Sequence, residues 1–209
     1  MFPIPNFYLF LSASIMINLA PGPDMLYTAA RSLSQGTKAG VLSAVGICAG
    51  CLFHISAAVF GLSAIIESSV LVFSIIKFAG AAYLIYLGLR AFIKSRRLDN
   101  GLKNLPAVSS KRIFFQGMLT NILNPKVAIF FLSFLPQFID PHSAYLREQI
   151  AFLGSWFALQ GTLILIGVAT LTGLFSAVLQ KNAGFWKWQG KITGLILFSL
   201  GLKVLISEK

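Results

Sequence analysis

Long apolar runs separated by short basic stretches organise this chain. Residues 1–23, 39–66 and 149–180 contain no Asp, Glu, Lys or Arg. A helix needs about 20 mostly apolar residues to cross about 30 Å of hydrocarbon, so each run predicts a membrane span. The first continues past a proline break to about Ala30, and the second is long enough to tilt. Three further runs complete the set: residues 69–92, interrupted by Lys77; residues 113–135, interrupted by Pro125 and Lys126; and residues 185–206, which open on the interfacial anchors Trp186 and Trp188. The pattern predicts an all-α membrane protein with six transmembrane helices.

Three spans per half means that two similar halves would insert in opposite directions, as an inverted repeat. The similarity runs in the same order through both. Asn18-Leu19-Ala20-Pro21-Gly22-Pro23 in span one answers to Asn121-Ile122-Leu123-Asn124-Pro125 in span four, and Tyr86-Leu87-Gly88-Leu89-Arg90 to Ser199-Leu200-Gly201-Leu202-Lys203. Spans two and five are the glycine-rich members, with Gly40, Gly46, Gly50 and Gly61 in one and Gly154, Gly161, Gly167 and Gly173 in the other. The expected organisation is a first repeat over residues 1–93, a basic loop over 94–112 and a second repeat over 113–209.

Composition agrees. Of 209 residues 56% are hydrophobic and only 11% charged, against about 25% charged in a soluble domain. A net charge of +11 would suggest nucleic acid in a soluble chain, but here the cations sit between apolar runs, so the partner is membrane lipid and nucleic acid is set aside. Arg31, Lys38, Lys94, Arg96, Arg97, Lys103, Lys111, Arg112, Lys181 and Lys187 fall in the first, third and fifth loops, with little beyond Arg147 and Lys209 opposite. The positive-inside bias therefore puts both termini outside and the 94–112 loop in the cytoplasm. Residues 1–6 lack the basic start and small-residue cleavage site of a secretory signal, so the N-terminus reads as retained.

The prolines point to a site. Pro21, Pro23 and Pro125 leave the carbonyls of Ile17, Leu19 and Asn121 without their helical donors, and non-helical backbone at membrane depth is tolerated only where protein or a water-filled cavity covers it. Paired breaks in two halves mark a transporter's binding site, whereas single ones would be packing kinks. The candidate substrate-binding residues are Asn18, Pro21, Gly22, Pro23, Asp24, Asn121, Asn124, Pro125 and Lys126. Asp24 has three readings: a cap on the second half-helix, the carrier of a coupling proton, or the partner of a substrate ammonium. His54, mid-span, is either a packing histidine or a second proton-coupling candidate, and Gln160 in the matching helix favours a shared polar cavity. Lys77 is read as snorkelling, and Lys126 as facing a substrate carboxylate or Asp24. Cys48 and Cys51 have the spacing of a redox pair, but inside a membrane helix they read as small packing residues beside the Gly46/Gly50 contact stripe. The glycine faces leave room for a homo-oligomer. No hydrolase or nucleotide-binding motif is present, and the sequence calls for no enzyme activity, metal or cofactor.

These residues resemble the lysine-exporter superfamily of bacterial amino-acid efflux proteins, in its homoserine/threonine-resistance branch. The resemblance spans nearly the whole chain. It rests on Pro21-Gly22-Pro23-Asp24 followed by a basic loop to Gly36 and Gly40, on His54 before Gly61-Leu62, on Gly80-Ala81-Ala82-Tyr83-Leu84, and on residues 121–126 followed by 130–137. It implies a multi-pass inner-membrane exporter of amino acids, driven by the proton gradient. The competing readings are a transmembrane thiol-disulfide electron carrier, which would need a reactive cysteine in each half, and a passive channel.

The orientation has a direct check. In an otherwise cysteine-free chain, a cysteine at Asn100 is expected to be shielded from an impermeant thiol reagent in intact cells, and one at His142 to react. The reverse pattern would invert the topology.

Overall fold

The computed structural model describes residues 4–62, 106–141 and 143–174, with scattered helical residues between 71 and 89 and between 191 and 202. Among the described residues every regular element is helical. Helix α1 (Phe7–Leu19) and α2 (Pro23–Gln35) form one apolar stretch bent by 50°. Helix α3 (Thr37–Ala57) ends in a wider π turn, Ala58–Leu62. Helix α4 (Ser110–Ile122) is followed across a second break by α5 (Pro125–Ile129) and further helical turns to Phe138, with a bend of 43°. Helix α6 (Leu146–Leu174) is straight and long.

Thr37–Gly61 and Leu146–Leu174 are each long and apolar enough to cross a membrane, and each bent pair adds one span if it crosses as a unit, giving two to four. They correspond to predicted spans two, five, one and four. Predicted spans three and six, with Lys77, Trp186, Trp188 and the paired motifs at 86–90 and 199–203, lie largely outside the described residues, as do residues 94–105 of the basic loop.

The first span runs five residues beyond the expected end at Ala30. What looks in sequence like a polar stop is instead a hydrogen-bonded stripe at i, i+4 and i+8 on α2, centred on the buried Arg31 and flanked by the half-buried Tyr27 and Gln35. Arg31 donates through Nε to the Tyr27 hydroxyl (3.3 Å), through Nη1 to Gln35 Oε1 (2.9 Å) and the Pro106 carbonyl (3.0 Å), and through Nη2 to Gln116 Oε1 (2.9 Å). Gln35 exchanges bonds with both backbone groups of Val108. Ser109 caps α4, its hydroxyl accepting the Arg112 N–H at 3.4 Å. Polar side chains thus extend the helix by finding partners in the segment leading into α4. Gly36 then turns the chain into α3 at φ +84°, a left-handed value that disfavours a side chain.

Helix α3 packs against α2, α4 and α6. In a bilayer the lipid tails are as apolar as the side chains, so close backbone approach, not the hydrophobic effect, holds such helices together. Gly46, Gly50 and Gly117 provide it. A Cβ on Gly46 would overlap the Phe114 carbonyl, one on Gly50 the Met118 carbonyl, and one on Gly117 would come to 2.7 Å from the Ser43 carbonyl. The stripe expected to permit helix contact is therefore used within the chain, against α4. Gly40, Gly154, Gly161 and Gly173 also close on this chain's own atoms, whereas Gly61 and Gly167 meet no atom within 4 Å among the described residues. Toward the N-terminal end of α1, Phe10, Phe130, Phe131, Phe134, Phe138 and Phe157 form a buried aromatic core, with Phe130 stacked on Phe157 at 4.1 Å between centroids.

Gly46→Ala is expected to destabilise the purified protein by about 1–3 kcal/mol, because the new methyl must displace backbone. Gly167→Ala meets nothing among the described residues and is expected to be neutral or to stabilise by up to about 1 kcal/mol through helix propensity. Thermal midpoints in one detergent compare the two directly.

Candidate functional site at the two helix breaks

Both breaks are made the same way. A residue ahead of a proline is driven out of the helical region, and Ala20 (ψ 119°) and Asn124 (ψ 106°) are both extended. Helix α2 restarts at Pro23 with Gly22 as its extended N-cap, and α5 restarts at Pro125. Proline is suited to that first position, where its missing N–H costs nothing. Asn124 caps α5 by accepting the Lys126 N–H on Oδ1 at 3.0 Å.

The two breaks then hold each other. Asp24 Oδ2 accepts Nδ2 hydrogens from Asn121 (2.9 Å) and Asn124 (2.8 Å), both from the second break. In return Lys126, just after the second break, extends its Nζ into the first and donates to the carbonyls of Ile17 (3.2 Å) and Ala20 (2.8 Å). Gly22 makes room for this ammonium: a Cβ there would stand 3.2 Å from Nζ. The Asn121 carbonyl, freed by Pro125, is 3.0 Å from His54 Nε2, so that ring nitrogen carries its hydrogen and donates. The breaks are thus joined from both sides by side chains, which add a second donor to the Ile17 and Asn121 carbonyls beside the Ala20 and Asn124 N–H groups.

Asp24 is consequently not a cap. It lies in the first turn of α2, where the helix dipole favours a carboxylate, yet its side chain crosses to the other break and Gly22 has no side-chain cap. Nor do Asp24 and Lys126 form a direct ion pair; each charge is met by neutral dipoles. Asp24 is 7% exposed, and its Oδ1 has no hydrogen-bond partner, nor has Asn121 Oδ1. Lys126 has a third N–H beyond the two given to carbonyls.

A cavity of about 30 Å³ opens among these groups, room for about two waters. Asn18, Asp24, Asn121 and Lys126 line its polar part. Pro21, Pro23, Asn124 and Pro125 shape the breaks without lining it, and Gly22 backs Lys126. His54 is not on the cavity wall; buried and stacked on Phe131 (centroids 6.0 Å apart), it holds the break from behind. Gln160 also misses the cavity and accepts from Ser14 Oγ at 2.6 Å.

Sequence reasoning passed over the α6 wall, Phe157, Gly161 and Leu165. The signal was their i, i+4, i+8 spacing; Gln160 is one residue and so about 100° out of phase with it. Gly161 admits Asn18, whose Nδ2 donates to the Phe157 carbonyl at 3.2 Å. Cys48 and Cys51, free thiols read as packing residues, also face the cavity.

The chain matches the family described as LysE type translocator over residues 15–208. It is 34% identical over 207 residues to the uncharacterized membrane protein YrhP of Bacillus subtilis, covering 95% of this chain and 97% of that one. It is 32% identical over 171 residues to a homoserine/homoserine lactone efflux protein of Salmonella typhimurium, covering 81% and 82%, and 30% identical to its counterpart in Salmonella typhi over the same shares. No solved structure matches the chain. With the family matched over most of its length and relatives covered over 82–97% of theirs, the chain belongs to the LysE family of translocators.

Proposed function

We propose that this protein is a secondary transporter of the bacterial inner membrane that exports small neutral amino acids, of the threonine, homoserine or leucine type, by proton antiport with alternating access. The observation that carries the reading is the cross-linked pair of breaks around Asp24 and Lys126. A zwitterion presents an ammonium and a carboxylate on one carbon. Asp24 Oδ1 offers the ammonium an unmatched acceptor, and the third N–H of Lys126 offers the carboxylate a donor. Efflux relatives named for homoserine and its lactone support export of small amino-acid-like molecules.

The mechanism follows from the bonds that must be exchanged. In the form described, the cavity has room for about two waters, and the breaks are bonded to one another. Substrate entering from the cytoplasm takes Asp24 Oδ1 and the free Lys126 N–H, and the two halves, read as inverted repeats with both termini outside, separate around it. On the outer side a proton reaches Asp24 Oδ1 and displaces the ammonium, while Oδ2 keeps its two amide donors. Return to the cytoplasmic side releases the proton. His54 is less suited to this role because it does not line the cavity in which substrate and proton would compete. An electron carrier would need thiols in both halves, but Cys48 and Cys51 both lie on α3; replacing both with Ala is expected to leave transport intact.

Asp24→Asn tests the coupling. The asparagine carbonyl can accept the same two amide hydrogens, so shape is kept while the titrating group is lost. The variant is expected to exchange labelled substrate across vesicles yet lose accumulation driven by an imposed proton gradient, with His54→Gln retaining it. Gradient-driven accumulation that survives in Asp24→Asn and fails in His54→Gln would transfer the role to His54. Gradient-independent flux in the wild type would make the protein a channel.

A further inference from the structure

The Arg31 cluster is left over from this account. Arg31 is 4% exposed, and its four hydrogen bonds go to a hydroxyl, two side-chain amide oxygens and a carbonyl, all neutral. Among the described residues no carboxylate pairs with it. A buried cation met only by neutral groups is costly until an anion answers it, and a guanidinium has five N–H groups, so one on Nη2 remains.

Beside it runs a groove of about 400 Å³ lined by Tyr27, Arg31, Gln116, Leu119, Thr120 and Leu123. Its character changes along its length. The Arg31 end lies where α2 finishes and the segment from Pro106 leads into α4, with Lys111 and Arg112 exposed nearby. The other end is leucine: Leu119 is 53% and Leu123 69% exposed, on the outward face of an apolar span. Cation at the span end and hydrocarbon surface below it match the two parts of a lipid, not those of a soluble anion.

We propose that this groove is a binding site for an anionic phospholipid, with the phosphate on the spare Arg31 N–H and an acyl chain along Leu119 and Leu123. Basic pockets at span ends recognise such headgroups through the same chemistry. Because Arg31 bonds to α2, to the segment before α4 and to α4 itself, a phosphate there neutralises the charge that ties the first bent span to the second. The proposal is independent of the exporter reading: it concerns lipid retention and holds or fails without any transport assay.

Arg31 substitutions would also break its structural bonds, so the test leaves Arg31 in place. Full-length protein in detergent is equilibrated with equal amounts of phosphatidylglycerol and phosphatidylcholine of identical chains, and bound lipid is counted by native mass spectrometry. About a fivefold preference for phosphatidylglycerol is expected, the worth of one such cation. A chain carrying Cys48→Ala, Cys51→Ala and Thr120→Cys is then labelled after purification with either a sulfonatoethyl or a neutral methyl thiosulfonate. The sulfonate, placed in the groove, is expected to abolish the preference, and the methyl label to preserve it. Equal retention of both lipids by the unlabelled protein, or a preference that ignores the sulfonate, overturns the site. Displacement of the lipid by millimolar inorganic phosphate would assign the cluster to a free anion instead and overturn the lipid.

Discussion

A peptide carbonyl inside a bilayer has no water to accept from, and leaving it bare costs several kcal/mol. Two proline breaks at comparable depth create that problem twice, and the rest of the site follows from the way it is met. Each broken span satisfies itself only in part, the Ile17 and Asn121 carbonyls keeping one backbone donor each, from Ala20 and Asn124. Lys126 of the second break supplies donors to Ile17 and Ala20 of the first, Asn121 and Asn124 bind Asp24 of the first, and His54 on α3 covers the Asn121 carbonyl. Each break is therefore complete only in the presence of the other. Close packing is a precondition, which is why glycines on α3 and α4 bring those backbones into contact.

Along the first bent span, the two sides of this junction are closed by different forces. Toward the N-terminus lies the aromatic core around Phe10, Phe130 and Phe157, held by ring contacts that are individually weak and tolerant of sliding. Toward the end of α2 lies the Arg31 cluster, held by directional hydrogen bonds that must be exchanged for others before the elements part. The proposed alternating cycle would thus meet a packed apolar threshold in one direction and a polar one in the other.

Much of this was legible in sequence because the relevant signals act along the chain. Prolines state which carbonyl is freed, and the carbonyls of Ile17 and Asn121, named on that ground, are both found accepting from side chains of distant segments. The bent spans and the contact role of Gly46 and Gly50 follow the same way. What sequence could not convey is rotation about the helix axis. Helices α3 and α6 are apolar almost all round, so no polar face sets their phase; Gln160 was placed toward the cavity when Gly161 faces it, and two cysteines were assigned to packing when they line the wall. Asp24 was open to capping because its position in the first turn allows it, and only the second break explains why its carboxylate turns away. Arg31 was counted as a loop charge because a cation near a span end ordinarily reaches water, and nothing local announced that Tyr27, Gln35 and Gln116 would enclose it.

The chemistry of the proposed cycle depends on Asp24 and Lys126 being held without being paired. A direct ion pair would spend each charge on the other, and a substrate would have to break it before binding. Here Asp24 Oδ2 is answered by two amides and Lys126 by two carbonyls, so both side chains, which line the cavity, are fixed in place while Asp24 Oδ1 and one Lys126 N–H remain unused. A zwitterion then adds bonds where there were none, and its departure restores a junction already satisfied by backbone and amide dipoles. In the unloaded form Asp24 Oδ1 and Asn121 Oδ1 lack partners, so in the proposed cycle the bonds a zwitterion adds can be made and given up without dismantling the four that join the breaks.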